Sequence, residues 1–434
     1  MRLCKVAFLC VVLGLMASAA AAREDPRAAA MAELSQLLAT GQYDRARAIL
    51  RKATGNRPDA ALHFAHLEGL ILARERRYEE ALQMFRSVLV MEPNFTPSRL
   101  ELSKLLFLTG RRDAALEQIE AVQLGTEDPG LRRLAQGFRN RMVLERPYGF
   151  SGYLAVLPST NINKATDNVV FNAGDNEFHI DDDSRRKSGV GVAFGGSSFR
   201  SWRLTDVNSL VWTGSADIRK YGSTTDFDEA ALSTSLTVDH RIGAFDVSFG
   251  PTADFRWLAW KPYAGRAGVT LDTTRPLGER TRLFTNVLLM RQDYVDLNYR
   301  DGWLATGSAT VRHMLSPSLA LAATGSLLAE RTRKEHLDHN DYRLQVQLDK
   351  EWSGGLLTTL VAGAGRSRYL GEFPGTTAER RDETWSVGGR LAHRGWSFNG
   401  FAPQLRYEYT KQKSNISFYD YDSHDVGISL IRSF

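Results

Sequence analysis

The chain has 434 residues, 43% of them hydrophobic and 24% charged, with a formal net charge of +5. That balance excludes a disordered chain and leaves room for two or three folded units. The charge is small for the length, and without a basic helix or an RNA-type aromatic motif it points to no nucleic acid partner.

The first residues, MRLCKVAFLCVVLGLMASAAAA, place Arg2 and Lys5 before an apolar core and then small residues. This pattern predicts a secretory signal peptide over residues 1–22. Both cysteines, Cys4 and Cys10, fall inside it. A mature chain would then carry no disulfide, no thiolate metal site and no cysteine nucleophile.

Residues 23–146 form the next expected domain, helical and periplasmic. Here Ala, Leu, Arg and Glu recur at helical spacing and the pattern repeats: Ala46, Ala81 and Ala115 lie 35 and 34 residues apart. Gly41 and Gly110 open two of the repeated stretches, Tyr43 pairs with Tyr78, and Pro58 pairs with Pro93. Leu50, Phe85 and Ile119 occupy a shared apolar position, and Gly69 sits where a first-helix glycine belongs. The array resembles the tetratricopeptide (TPR) repeat, a helix-turn-helix unit of 34 residues. One such unit cannot bury its apolar face alone, so about three should stack, with a cap near residues 129–145. A TPR stack offers a groove for a protein partner. His63 and His66, at i and i+3, suit packing, or a metal if a third ligand joined them.

After residue 147 the periodicity changes to two. Gly, Ser, Thr and aromatics rise, as in SGVGVAFGG and YRLQVQLDKEW. About 14 strands are predicted, near 148–158, 188–204, 208–221, 228–240, 244–260, 265–275, 280–294, 300–315, 319–333, 341–352, 356–370, 380–393, 401–412 and 422–434. Short connections alternate with generally longer ones, the pattern of an outer-membrane barrel with tight periplasmic turns. An even strand count leaves both barrel ends on the periplasmic side. In HDVGISLIRSF, Val426, Ile428, Leu430 and Phe434 share one face, and Gly427, Ser429 and Ser433 the other. Phe434 is the expected assembly signal. The fold class is therefore α + β multidomain: a TPR-like helical domain, then a transmembrane antiparallel barrel over 147–434.

The first outer connection, Ser159 to Lys187, is the longest. It opens on PSTNINKATDN, where Pro158, Asn161 and Asn163 end a strand in amides and hydroxyls. Asn side chains bond nearby backbone in turns, so a strand-end latch is one reading. The other has both asparagines folding inward to line or plug the barrel. DDDSRRK, residues 181–187, reads either as a loop that pairs with itself or as a contact for lipopolysaccharide or a divalent ion. HLDHND, residues 336–341, gathers two His and two Asp in an expected loop. No hydrolase, zinc-protease or phosphate-loop motif occurs, so no enzyme and no cofactor are expected.

Signal peptide, short TPR domain and terminal barrel together resemble the surface lipoprotein assembly modifier family, most closely in LPSTNINKAT (157–166) and SNISFYDYDSHDVGISLIRSF (414–434). Helical repeats joined to a barrel also suit an exopolysaccharide exporter or a passive outer-membrane channel, whereas the resemblance implies a Gram-negative outer-membrane translocator. Its clients would be surface lipoproteins or secreted proteins, several of them for iron or haem acquisition. The TPR domain would engage the client, the barrel would mediate passage, and the barrel-assembly machinery would cooperate.

Overall fold

A computed structural model describes residues 33, 36–38, 40–54, 60–93, 95–125, 138, 147–173, 176–205, 207–222, 224–243, 245–352, 356–393, 396 and 401–433. The expected signal peptide, Pro58, most of the expected capping stretch and Phe434 lie outside them. The chain divides into two compact units, residues 1–142 and 143–434.

The first unit contains α1 (Tyr43–Thr54), α2 (Ala60–Arg74), α3 (Tyr78–Met91), α4 (Thr96–Leu108) and α5 (Arg112–Gly125). Its apolar positions meet in a sealed core: Leu50, Ile71, Leu82, Phe85 and Ile119 have at most 1% of their surface exposed. Burial of each such side chain contributes about 1.5–3 kcal/mol. Ala46, Ala81 and Ala115 are all fully buried, since a larger residue there would push the paired helices apart. Gly69 does the same from α2: a Cβ on it would lie 2.8 Å from the Phe85 ring. Thirty-four residues later Ser103 takes that place, buried, with its hydroxyl donating to the Ala115 carbonyl at 2.8 Å.

The repeat is also written in the turns. Gln42, Arg77 and Arg111 donate their backbone N–H to the carbonyls of Leu37, Leu72 and Leu106, each five residues back. This bond closes a helix end around one left-handed residue. Gly41 and Gly110 supply it with φ of 75° and 79°, and Arg76 adopts 63° in the equivalent place. Tyr43 and Tyr78 begin α1 and α3, while Pro93 follows α3.

The second unit is a closed antiparallel barrel of 14 strands. They are β1 (Tyr148–Ser159), β4 (Gly189–Arg203), β5 (Asn208–Tyr221), β6 (Glu229–Ile242), β7 (Phe245–Leu258), β8 (Lys261–Pro276), β9 (Thr281–Tyr294), β10 (Gly302–Ser316), β11 (Leu319–Thr332), β12 (His339–Glu351), β13 (Leu356–Glu372), β14 (Glu379–His393), β15 (Phe401–Ser414) and β16 (Tyr421–Ser433). A small hairpin, β2 (Val170–Ala173) with β3 (Asn176–His179), stands apart in the first outer connection. The sequence pattern reads that whole connection as loop. Each strand is only four residues long, too short for a period to register.

One predicted turn moves. It was expected over residues 261–264, but β7 and β8 are joined by Ala259 and Trp260 alone, with φ of 49° and 63°. Positive φ at both central residues is the tight hairpin turn that normally selects Asn-Gly, so Ala-Trp carries no turn signal.

Side chains alternate across the wall. Leu154, Val192, Leu236, Phe249, Leu289, Leu344, Val387 and Ile428 are exposed on the outer face. The inner face is polar and cross-linked: Tyr153 donates to Asp217 at 2.7 Å, Arg266 to Asp254 at 2.9 Å and Arg312 to Asp349 at 3.2 Å. An apolar outer face around a polar interior is the arrangement a bilayer selects. In β16, Ile428 and Leu430 are exposed and Gly427 is buried, the alternation expected from the sequence.

Candidate functional site

The first and last strands close the barrel, and their ladder is interrupted near its outer end. Pairing runs from Ser151–Ser433 to Val156–Ile428, skips Leu157 and Pro158, and resumes at Ser159–Asp425. On its other side β1 pairs with β4 without a break from Tyr148 to Ser159. Pro158 has no N–H to give, so the seam needs other bonds where the two strands meet the outer surface.

Asn161 supplies them. It has no exposed surface, and its amide nitrogen donates to the carbonyls of Ala165 and Asp422, both at 2.9 Å. Its side-chain oxygen accepts from the Ala165 N–H at 3.0 Å. One carboxamide thus satisfies three backbone groups, two local and one from β16. Thr160 adds a pair: its N–H donates to the His424 carbonyl, and its hydroxyl oxygen accepts the His424 N–H. Asn163 ties the start of the connection to its end, donating to the Arg185 carbonyl at 2.8 Å and accepting from the Lys187 N–H at 2.9 Å.

Lys164, held at φ 50°, turns towards the lumen. Its ammonium reaches Ser423 Oγ at 2.7 Å and Asp425 at 2.5 Å. Both acceptors lie on the lumen-facing row of β16. Arg186 clamps from the other end, donating to the Thr160 carbonyl at 2.8 Å and to Asp167 at 2.7 Å, with Asp422 at 3.6 Å. Above this, Phe171 stacks on Phe178 with centroids 5.2 Å apart and meets Phe418 at 5.3 Å. Asn168 donates to the Ser417 carbonyl. The first outer connection is therefore an ordered cap, fastened to the β15–β16 connection and to the inner wall of β16. Asn161 and Asn163 bond backbone carbonyls, as the latch expectation has it, and it is the neighbouring Lys164 that points inward.

No local pattern points to Lys164 or Arg186. Within DDDSRRK, Arg185 pairs with Asp182 and Lys187 with Asp183, as self-pairing predicts, but Arg186 leaves that set. The HLDHND stretch is half strand: His339 opens β12, stacks on Tyr369 at 4.9 Å and engages the Leu337 carbonyl through Nδ1. Asp338 accepts from the Thr332 N–H and hydroxyl. Among the described residues no group of three or more His, Cys, Asp or Glu is arranged to hold a metal.

In the helical unit His66 is half-buried between the rings of Phe85 and Phe95, 5.7 and 5.4 Å away, with Nδ1 2.7 Å from Ser98 Oγ. Burial, helped by neighbouring His63, pushes its imidazole down to about 4. It is neutral core at ordinary pH. Arg47 bridges Glu68 at 2.9 Å and Glu75 at 2.8 Å, joining α1 to α2 and holding the Glu75 carboxyl below its usual range.

Residues 148–434 match the model of the surface lipoprotein assembly modifier family, and residues 72–136 match a tetratricopeptide repeat. The chain belongs to the surface lipoprotein assembly modifier family. It is 21% identical over 377 residues to surface lipoprotein assembly modifier 1 of Haemophilus influenzae, covering 85% of this chain and 76% of that one. It is 22% identical over 400 residues to the modifier 1 protein of Neisseria meningitidis serogroup B, covering 85% and 75%. A hemophilin secretion modulator of Acinetobacter baumannii is 26% identical over 147 residues, covering 32% of this chain and 29% of that protein. Family and fold make this an outer-membrane protein whose helical region is periplasmic. The two stretches that carry the family resemblance, 157–166 and 414–434, are the ones that the Asn161, Lys164 and Thr160 contacts bring together.

Proposed function

We propose that this protein is an outer-membrane translocator that delivers surface lipoproteins or secreted proteins, including those used to acquire iron or haem, to the cell surface. The helical unit engages the client and the barrel mediates passage. Membership of the surface lipoprotein assembly modifier family carries this reading. The relative named as a hemophilin secretion modulator extends the client class to secreted proteins. The first outer connection is tied to the inner wall of β16, so its release is a natural control point for a chain leaving the barrel. No catalytic step is required: the work is binding, opening and release. Asn161, Asn163 and Pro158 belong to the closing element, the TPR-type positions shape the client-binding unit, and Phe434 directs barrel assembly, with the barrel-assembly machinery as a partner.

The test is surface display of a candidate client in cells with and without this gene. Display or secretion should be lost in the deletion while the client is still made, and should return with the full chain. Unchanged display with the client present would sink the reading.

A further inference from the structure

The outward face of the barrel is uneven on the β9–β13 side. Gly307 of β10 and Gly325 of β11 both face the lipid, and a Cβ at either would meet nothing within 4 Å. Neither glycine is demanded by close packing or by positive φ, and Gly weakens a strand interior. What the pair creates is a depression. It is shallow and open, about 720 Å³, bordered by Val287, Leu327 and Leu344, with Gly307, Ala309 and Gly325 as its floor.

Arg366 stands at one edge of this groove, at the outer end of β13. Around it the lipid-facing positions become cationic. Arg368 lies directly opposite Arg381 in the β13–β14 ladder, and Arg366 lies opposite Glu383, which in turn faces Lys413 of β15. One step towards the membrane, Trp385 faces Lys411. Five cations thus share three adjacent strands with Glu372, Glu379 and Glu383. Strands lie about 4.8 Å apart and same-face neighbours about 7 Å apart along a strand, so these groups fall in one patch. Glu379 takes Arg381 at 3.4 Å and Asp420 takes Lys413 at 3.1 Å. Arg366 reaches Glu383 only at 4.0 Å. Arg368 and Lys411 have no ion-pair partner among the described residues. Like charges directly opposite in a ladder are unfavourable; Glu379 meets Arg381 from its own strand, and among the described residues Arg368 opposite it has no carboxylate of its own. At the corresponding height on β4–β6, the lipid-facing residues are Val192, Ile218, Lys220 and Ala230, with one cation.

We infer that this region binds a phosphorylated glycolipid of the outer leaflet. An acyl chain lies in the groove floored by Gly307 and Gly325, and the headgroup phosphate is held by Arg366, Arg368 and Arg381. Guanidinium forks match phosphate oxygens in pairs. Trp385 sits at the depth where headgroup gives way to chain, the usual place for an interfacial ring. The outer leaflet supplies that chemistry as lipid A, the anchor of lipopolysaccharide. The acidic and basic stretch 181–187, an alternative place for such a contact, spends its charges within the cap instead. The inference is independent of the translocation reading, since its readout involves no client.

The experiment uses the purified full-length chain in detergent and native mass spectrometry with three added probes: diphosphorylated lipid A, the same lipid stripped of phosphate, and inorganic phosphate alone. The wild type should bind the diphosphorylated lipid at least tenfold tighter than the stripped one, and inorganic phosphate should not be retained. The combination R366Q, R368Q and R381Q should lose at least tenfold in affinity for the diphosphorylated lipid, and Gly325→Leu, which fills open space, should lose severalfold. Lys220→Gln on the other wall should bind like wild type. Heat-modifiable gel mobility confirms that each variant is a closed barrel; should the triple variant not fold, Arg368→Gln alone is read. Equal binding of stripped and intact lipid, no loss in either the arginine or the groove variant, or an equal loss in Lys220→Gln overturns the inference. Retention of phosphate alone overturns the lipid as ligand. A second protein co-purifying through this face with unchanged lipid binding assigns the groove to that protein and overturns it too.

Discussion

In the helical unit Phe85, Leu82 and Ile71 are sealed from solvent, whereas in the barrel Leu154, Phe249 and Leu360 stand fully in view on the outside. The same kinds of residue do opposite jobs. A period near 3.6 turns one stripe of each helix inward against its neighbours, while a period of 2 turns every second residue outward to a solvent that is itself apolar. The helical unit is held by its core, and the barrel by ladders that close on themselves. The two halves should therefore fail in different ways.

The largest effect should follow from Phe85→Ala. Emptying the site against which Gly69 packs should cost about 3–5 kcal/mol. Expressed alone, residues 23–146 should lose helical circular dichroism, while the full-length barrel keeps its heat-modifiable gel mobility. Loss of that mobility would erase the distinction between the halves. Leu236→Arg should behave oppositely. A cation on the lipid face near the midplane costs about 2–4 kcal/mol and should lower barrel yield, whereas Ser235→Arg, pointing into the polar lumen, should be tolerated. Equal yields would show that the two faces have been assigned wrongly.

Acid should act on the helical unit first. His66 titrates near 4 in the fold against about 6.5 when unfolded. The unfolded chain therefore takes up the proton first as pH falls. Stability is full above about pH 6.5 and is lost progressively towards pH 4, by about 2 kcal/mol between pH 7 and pH 5. Thermal melts of the helical unit should show that slope, and His66→Asn should flatten it. A slope that survives the substitution assigns the effect elsewhere. The smallest change should come from Asn161→Ala, which strands buried backbone groups at about 1–2 kcal/mol. It should open the cap to protease on intact cells while the barrel stays closed; a cap as resistant as wild type would refute the latch.

The helical repeat could be read from the sequence because its signal is redundant: alanines, aromatics and turn residues recur in one phase. Arg76 hid its left-handed backbone because side-chain type alone announces glycine there. The strands were legible through alternation and the short turns through composition, except at Ala259–Trp260, where the backbone adopts a shape its residues do not advertise. The cap was half legible. Asparagines at a strand end foretell local backbone bonds, and Asn161 makes them with Ala165. Its bond to Asp422 depends on barrel closure, and closure on register, which no local pattern encodes. The groove is hidden for the same reason: Gly307 and Gly325 become neighbours only once β10 and β11 pair.

Asn161 and the Asp422 carbonyl lie 261 residues apart in the chain. The separation makes their bond a clock for assembly. Neighbouring hairpins can form as soon as each pair of strands exists, but this bond must wait until β16 has been made, inserted and brought round to β1. The β1–β16 seam to which this bond belongs closes the longest loop in the barrel and carries the greatest entropic cost of its pairings. The latch consequently forms with barrel closure and reports a barrel that is short of a strand. A protein whose cap is protease-resistant has, by that fact, finished folding.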